Sequence, residues 1–172
     1  MDVTCRPATD ADVDAIAEVR VRSWQAAYRG IVPQPELDRM DPAAVARRWR
    51  GEDLDGHHVA ESAGRVVGWL FVGAYRPDPA DGGPDPGPGC GEVLAIYVRP
   101  EAWRQGIGRP LLAYGLGELR RQGLGPVLLW VLEANARARR FYERAGFVLD
   151  GGTHTYEIGG ATLPEVRYRH DG

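Results

Sequence analysis

The sequence contains no lysine; all 21 of its basic residues are arginine, set against 24 acidic residues for a formal net charge of −3. A nucleic-acid surface needs a clustered excess of positive charge, so a mildly acidic chain argues against nucleic acid as a partner. The missing lysine also excludes a nucleotide P-loop, which uses that side chain on its phosphates. Cysteine is nearly as scarce: Cys5 and Cys90 show neither metal-ligand spacing nor an evident pairing, and no disulfide scaffold is expected. The only serines, Ser23 and Ser62, lie outside any nucleophile-elbow sequence, which sets aside a serine hydrolase. No long apolar run exists either. The stretch 127–132 is strand-sized and far short of a bilayer, so no membrane association is expected. The first residues, Met1-Asp2-Val3-Thr4, lack the basic and apolar regions of a signal peptide, and a cytoplasmic location follows as the expectation.

What is present is the composition of an ordinary globular protein, and 172 residues fit one domain able to bury a core without cross-links. Residues 3–6 read as a first strand. Thr9 and Asp12 then form a capping-box pattern that starts a helix with Val13, Ile16, Ala17, Val19 or Arg20, and Trp24 near helical spacing, carried to Tyr28 and stopped at Gly30. A second helix is expected over 42–50. Strands over 58–61 and 66–75 should pair antiparallel across a Gly64-Arg65 turn, and the Pro/Gly/Asp-rich segment 76–91 should be a mobile loop.

The second half is the more informative. A strand over 93–98, a helix over 107–122 and a doubly apolar strand over 127–132 make a strand–helix–strand unit, which predicts parallel pairing with a right-handed crossover. Asn135 should cap a last helix whose Ala138, Phe141, Tyr142 and Ala145 share a face, with Gly146 as its stop; a final hairpin should turn at Gly159-Gly160.

The turn Trp103-Arg104-Gln105-Gly106-Ile107-Gly108-Arg109 follows a strand and opens a helix. Free amides, small residues and the positive end of the helix dipole make such a turn a phosphate site, and Arg104 and Arg109 can add charge-assisted hydrogen bonds. A dinucleotide fingerprint would need Gly or Ala at position 111, where Leu111 stands.

Leu94-Ala95-Ile96-Tyr97-Val98, Pro100, Gly106-Ile107-Gly108 and Leu111-Leu112 together resemble the acetyl-CoA motif of GNAT acetyltransferases. Leu132-Glu133-Ala134-Asn135 leading to Arg140-Phe141-Tyr142-Glu143-Arg144-Ala145-Gly146-Phe147 resembles that family's last helix, and Arg6-Pro7-Ala8-Thr9 with Asp12 resembles its opening. The resemblance implies a mixed α/β fold in which a central, mostly antiparallel sheet contains one parallel strand–helix–strand unit and carries helices on both faces. One departure stands out: the slot in which the family has Gln or Arg is occupied by Trp103, with Arg104 one residue late.

The resemblance further implies an N-acetyltransferase with acetyl-CoA as co-substrate and no metal. Ile96, Tyr97, Val98, Arg104, Gln105, Gly106, Ile107, Gly108, Arg109, Asn135 and Tyr142 would bind the coenzyme. Ile96 and Val98 would offer backbone groups to the pantetheine arm, and the Val98 amide would hold the oxyanion. Tyr142 would protonate the departing sulfur, and Glu92, at the start of the same strand, would take the amine proton, through water. Trp24 and Tyr28 would line the acceptor side and form a cation–π wall. The partner is a small-molecule or peptide amine, with room for a homodimer. The rival reading is a non-catalytic acyl-CoA-binding module on the same fold. The histidines give no metal site: His57 and His58 would face opposite ways on a strand, and His154 and His170 stand apart.

Overall fold

The computed structural model describes residues 2–172. Among them one seven-stranded sheet runs in the order β1-β2-β3-β4-β5-β7-β6, where β1 is Thr4–Pro7, β2 His57–Ser62, β3 Arg65–Ala74, β4 Gly91–Val98, β5 Val127–Leu132, β6 Val148–Ile158 and β7 Ala161–His170. Every neighbouring pair is antiparallel except β4 and β5. The helices are α1 (Val13–Ala27), α2 (Gln34–Asp38), α3 (Pro42–Trp49), α4 (Gly108–Arg121) and α5 (Ala136–Arg144). This is the expected fold, with the strand–helix–strand unit realised as β4-α4-β5.

Apolar patterning explains the layers. Ile107, Leu111, Leu112 and Leu119 from α4 and its entry pack with Val93, Val127, Leu129, Val131, Tyr142 and Phe147 in the main core on one sheet face. Ile16 and Val19 of α1 bury Val59 and Trp69 on the other, and α3 closes over α1 through Ala17 and Ala46. The capping box forms as read: the Asp12 carboxylate accepts from the Thr9 amide at 2.8 Å and from Arg6 at 2.7 Å. That pairing holds the carboxyl well below its ordinary value, at about 2.

Two local expectations are corrected, and one short helix is added. The β2–β3 turn is Ala63-Gly64, not Gly64-Arg65: both residues have positive φ, 50° and 71°, the pattern of a type I′ hairpin turn. The short helix α2 has no periodic apolar signature and carries a single buried residue, Leu37. The segment 76–90 is tied down on β6 and β7. Gly82 and Thr153 exchange both backbone hydrogen bonds, the Tyr75 hydroxyl donates to Asp81 at 3.0 Å, and buried Arg167 donates to the Pro84 carbonyl at 2.5 Å and to Asp150 at 2.8 Å. Composition alone could not show the partners on β6 and β7, because they lie more than sixty residues downstream.

Candidate active site

Strands β4 and β5 pair over only two residues, Gly91 with Val127 and Glu92 with Leu128. Beyond them the strands part, and a cavity of about 800 Å³ fills the opening. Its walls come from β4, the turn before α4, α5, the end of α1 and the middle of β7.

The turn is shaped for an anion. Arg104 and Gly106 hold left-handed φ angles of 63° and 81°, and a side chain on Gly106 would project into open space, where a ligand would approach. Gly108 is small for another reason: a Cβ there would lie 3.2 Å from the Phe141 ring, where α4 meets α5. Among the described residues, the amides of Gln105 to Arg109 have no backbone partner. Pro110 has no N–H to orphan, so the first turn of α4 presents a compact set of free donors.

On β4 the Arg99 amide donates to Val67 on β3. Alternation along an antiparallel ladder then sends the backbone groups of Ile96 and Val98 toward the opening and those of Tyr97 toward β3. The Val98 carbonyl is already engaged, accepting from Ser23 Oγ at 3.0 Å and from Trp103 Nε1 at 2.6 Å, which leaves its amide for a ligand. Ser23 thus ties α1 to β4. Tyr97, expected among coenzyme contacts, stacks on Trp69 at 5.8 Å and lines the cavity from the α1 face.

Trp103 gives the departure from the family pattern a physical role. Its indole anchors the turn to Val98, and the Arg137 guanidinium lies 3.3 Å from its ring centre. Arg137 was not singled out from the sequence. Partial burial and the charge of Arg104 both lower its pKa, so two guanidinium groups face one region with no carboxylate between them, as an anion site requires. Both line the cavity with Arg109. Gln105 does not; its side chain donates back to the Glu101 carbonyl at 2.9 Å. The Asn135 Oδ1 caps α5 by accepting from the Ala138 amide at 3.1 Å, leaving its amide nitrogen to the cavity.

Tyr142 is 8% exposed and packed among Phe141, Phe147 and Tyr168. Burial pushes its phenol well above the ordinary value, which keeps the proton on oxygen. The end of the cavity toward α1 is aromatic: Trp24 and Tyr28 meet edge to face at 4.7 Å, Tyr156 approaches Trp24 at 6.3 Å, and Trp130 completes the lining. Glu92 is 8% exposed and faces this end because β4 carries a bulge. Phe71 pairs with Ala95 and Val72 with Val93, so Leu94 is the extra residue. Strict alternation would have put Glu92 on the face of Ile96 and Val98; the bulge puts it with Ala95 and Tyr97. Its carboxylate accepts from the Arg76 amide at 3.3 Å, and burial raises its pKa. Glu165 on β7, overlooked in the sequence, lines the same end and is also shifted upward by burial. His57 and His58 lie outside the cavity lining and on opposite faces, against Phe71 and Tyr114 respectively.

An opened parallel strand pair with free amides at its mouth is a shared architecture. The model of the acetyltransferase (GNAT) family matches residues 17–147. The "Uncharacterized N-acetyltransferase YuaI" of Bacillus subtilis is 33% identical over 95% of this chain and 90% of its own length. A mycothiol acetyltransferase of Saccharomonospora viridis is 33% identical over 82% of the chain, which spans 43% of that longer protein. Among solved structures, yncA of Salmonella typhimurium, described as a putative acetyltransferase with its cofactor acetyl-CoA, superposes with a TM-score of 0.70 at 24% identity over 98% of this chain and 93% of its own. Sequence motifs, strand order and relatives agree, and the chain belongs to the GNAT family of acetyltransferases.

Proposed function

We propose that the protein transfers the acetyl group of acetyl-CoA to a primary amine by direct attack of the nitrogen on the thioester. The observation that carries this reading is the opening between β4 and β5, with the unpaired amides of Gln105 to Arg109 at one end and an aromatic, carboxylate-bearing chamber at the other. The diphosphate of the coenzyme sits against those amides, Arg104 and Arg137, where helix dipole and charge act together. The pantetheine arm runs along Ile96 and Val98, taking the place of the strand that β5 no longer supplies.

The acetyl carbonyl then lies by the Val98 amide, which stabilises negative charge as it develops on oxygen. Tyr142 donates its proton to the departing sulfur; a phenol kept protonated by burial suits that step. A carboxylate of the acceptor end receives the ammonium proton, and Glu92 and Glu165 both stand there. The aromatic walls favour an amine that arrives as a cation.

The test is release of coenzyme thiol from acetyl-CoA with spermidine, an aminoglycoside, free amino acids and a short peptide, with the N-acetyl product identified by mass spectrometry. The wild type should release thiol in step with product for at least one acceptor. Tyr142→Phe should lower kcat by about 100-fold while changing the KM for acetyl-CoA little. Acetyl-CoA binding without thiol release for any amine would favour the non-catalytic binding module instead.

A further inference from the structure

Given that transferase reading, we infer that Glu165, on β7, is the carboxylate that meets the acceptor's ammonium group and takes its proton.

The strand register places it. Glu92 on β4 is level with Leu128 on β5, and Leu132, four residues on, pairs with Glu165. Those four residues carry the chain about 13 Å along the sheet. The same advance on β4, with the bulged Leu94 counted in, arrives at Tyr97, the residue before the Val98 amide that holds the acetyl oxygen. Glu165 therefore stands level with the reacting carbonyl, on the strand beyond β5, whereas Glu92 lies back where the strands are still joined. The groups around Glu165 agree with this position. Tyr28 lines the same cavity with Tyr97, Tyr142 and Glu165, and its phenol is pushed up first by burial and then by those three groups.

The two carboxylates also differ in what already occupies them. Glu92 is held by the Arg76 amide, and the Arg76 charge favours its ionised form. Glu165 accepts no hydrogen bond from any described residue, although it lines the cavity. The titratable and charged groups about it are His154, its direct partner on β6, Asp81 from the docked loop, which lies 3.0 Å from His154 Nδ1, and Arg167 two residues along β7. Arg167 is spent on Asp150, Tyr75 and Pro84. Burial and Asp81 raise the Glu165 carboxyl while His154 lowers it, with a net rise, which brings a carboxylate base nearer neutrality.

The proton balance closes. Glu165 takes one proton from the ammonium, the neutral nitrogen bonds to the carbonyl carbon, and the carbon–sulfur bond breaks with its electron pair going to sulfur. Tyr142 protonates that sulfur and recovers a proton from the acylated nitrogen. Glu165 returns its proton to solvent after the amide leaves, and the net yield is amide, thiol and one proton.

The experiment is the pH dependence of steady-state transfer from acetyl-CoA to the best acceptor of the panel above, for wild type, Glu165→Gln, Glu165→Asp and Glu92→Gln. Glu165→Gln should lower kcat by about 100-fold near pH 7. The deficit should narrow as the pH rises and the amine arrives neutral, with acetyl-CoA affinity by calorimetry unchanged and Glu165→Asp intermediate. Glu92→Gln should cost less and keep the acidic limb of the profile. A Glu165→Gln enzyme within threefold of wild type, a loss independent of pH, a loss shared with acetyl-CoA binding, or transfer of the pH-dependent defect to Glu92→Gln would each overturn the assignment. A wild type that acylates no amine would remove the transferase reading itself.

Discussion

Arg137 lies over an aromatic face, 3.3 Å from the Trp103 ring centre, and its charge meets another arginine's. Such an arrangement is favourable only when an anion sits between the guanidinium groups, so Arg137→Ala should weaken acetyl-CoA binding by roughly tenfold or more, the size of a charge-assisted hydrogen bond. Calorimetry would check it; affinity unchanged within twofold would remove Arg137 from the coenzyme site. The glycines at 106 and 108, Tyr142 and Asn135 were legible as sequence because they fall in a fixed local order around a helix start and a helix cap. Arg137 was not, because its meaning comes from Trp103 in a different segment. Glu165 was hidden for a related reason: nothing within β7 marks one residue of an ordinary strand, and only its register against β5 brings it to the cavity.

The elements were readable wherever periodicity was strong. The β4-α4-β5 unit, α1 with its capping box and α5 with its Asn135 cap follow the apolar spacing and the caps. Turns and bulges were harder, because they depend on a single residue's backbone angle. Leu94 is indistinguishable from its neighbours in sequence, yet as the extra residue of β4 it decides which face Glu92 serves. The β2–β3 hairpin offers a direct test of the turn now seen. Ala63 is exposed and holds a φ of 50°, a conformation that costs an alanine on the order of 1 kcal/mol and that asparagine tolerates better. Ala63→Asn should therefore stabilise the protein by about 0.5–1 kcal/mol and raise the melting temperature by roughly 1–4 °C. A melting temperature that falls would mean the turn adopts another form.

Taken whole, the molecule divides its labour between the two sheet faces. The α4–α5 face holds the main core and the turn with free amides before α4, whereas the α1 face carries the aromatic end of the cavity, beside a loop that Arg167 ties down. The sheet joins them only because β4 and β5 separate after two residue pairs, so one cavity reaches from the free amides before α4 to the aromatic residues of α1. This division also explains why the fold was the legible part: it rests on local motifs, while the aromatic end of the cavity is assembled from α1, the 76–90 segment and β7, far apart in the chain. The claim beneath the whole account is that the free amides at the start of α4 bind the diphosphate of coenzyme A. Isothermal titration of the purified protein with acetyl-CoA measures it most directly. A saturable heat with one ligand per chain is predicted, competed by free coenzyme A; a titration that shows no association with either form of the coenzyme would contradict it.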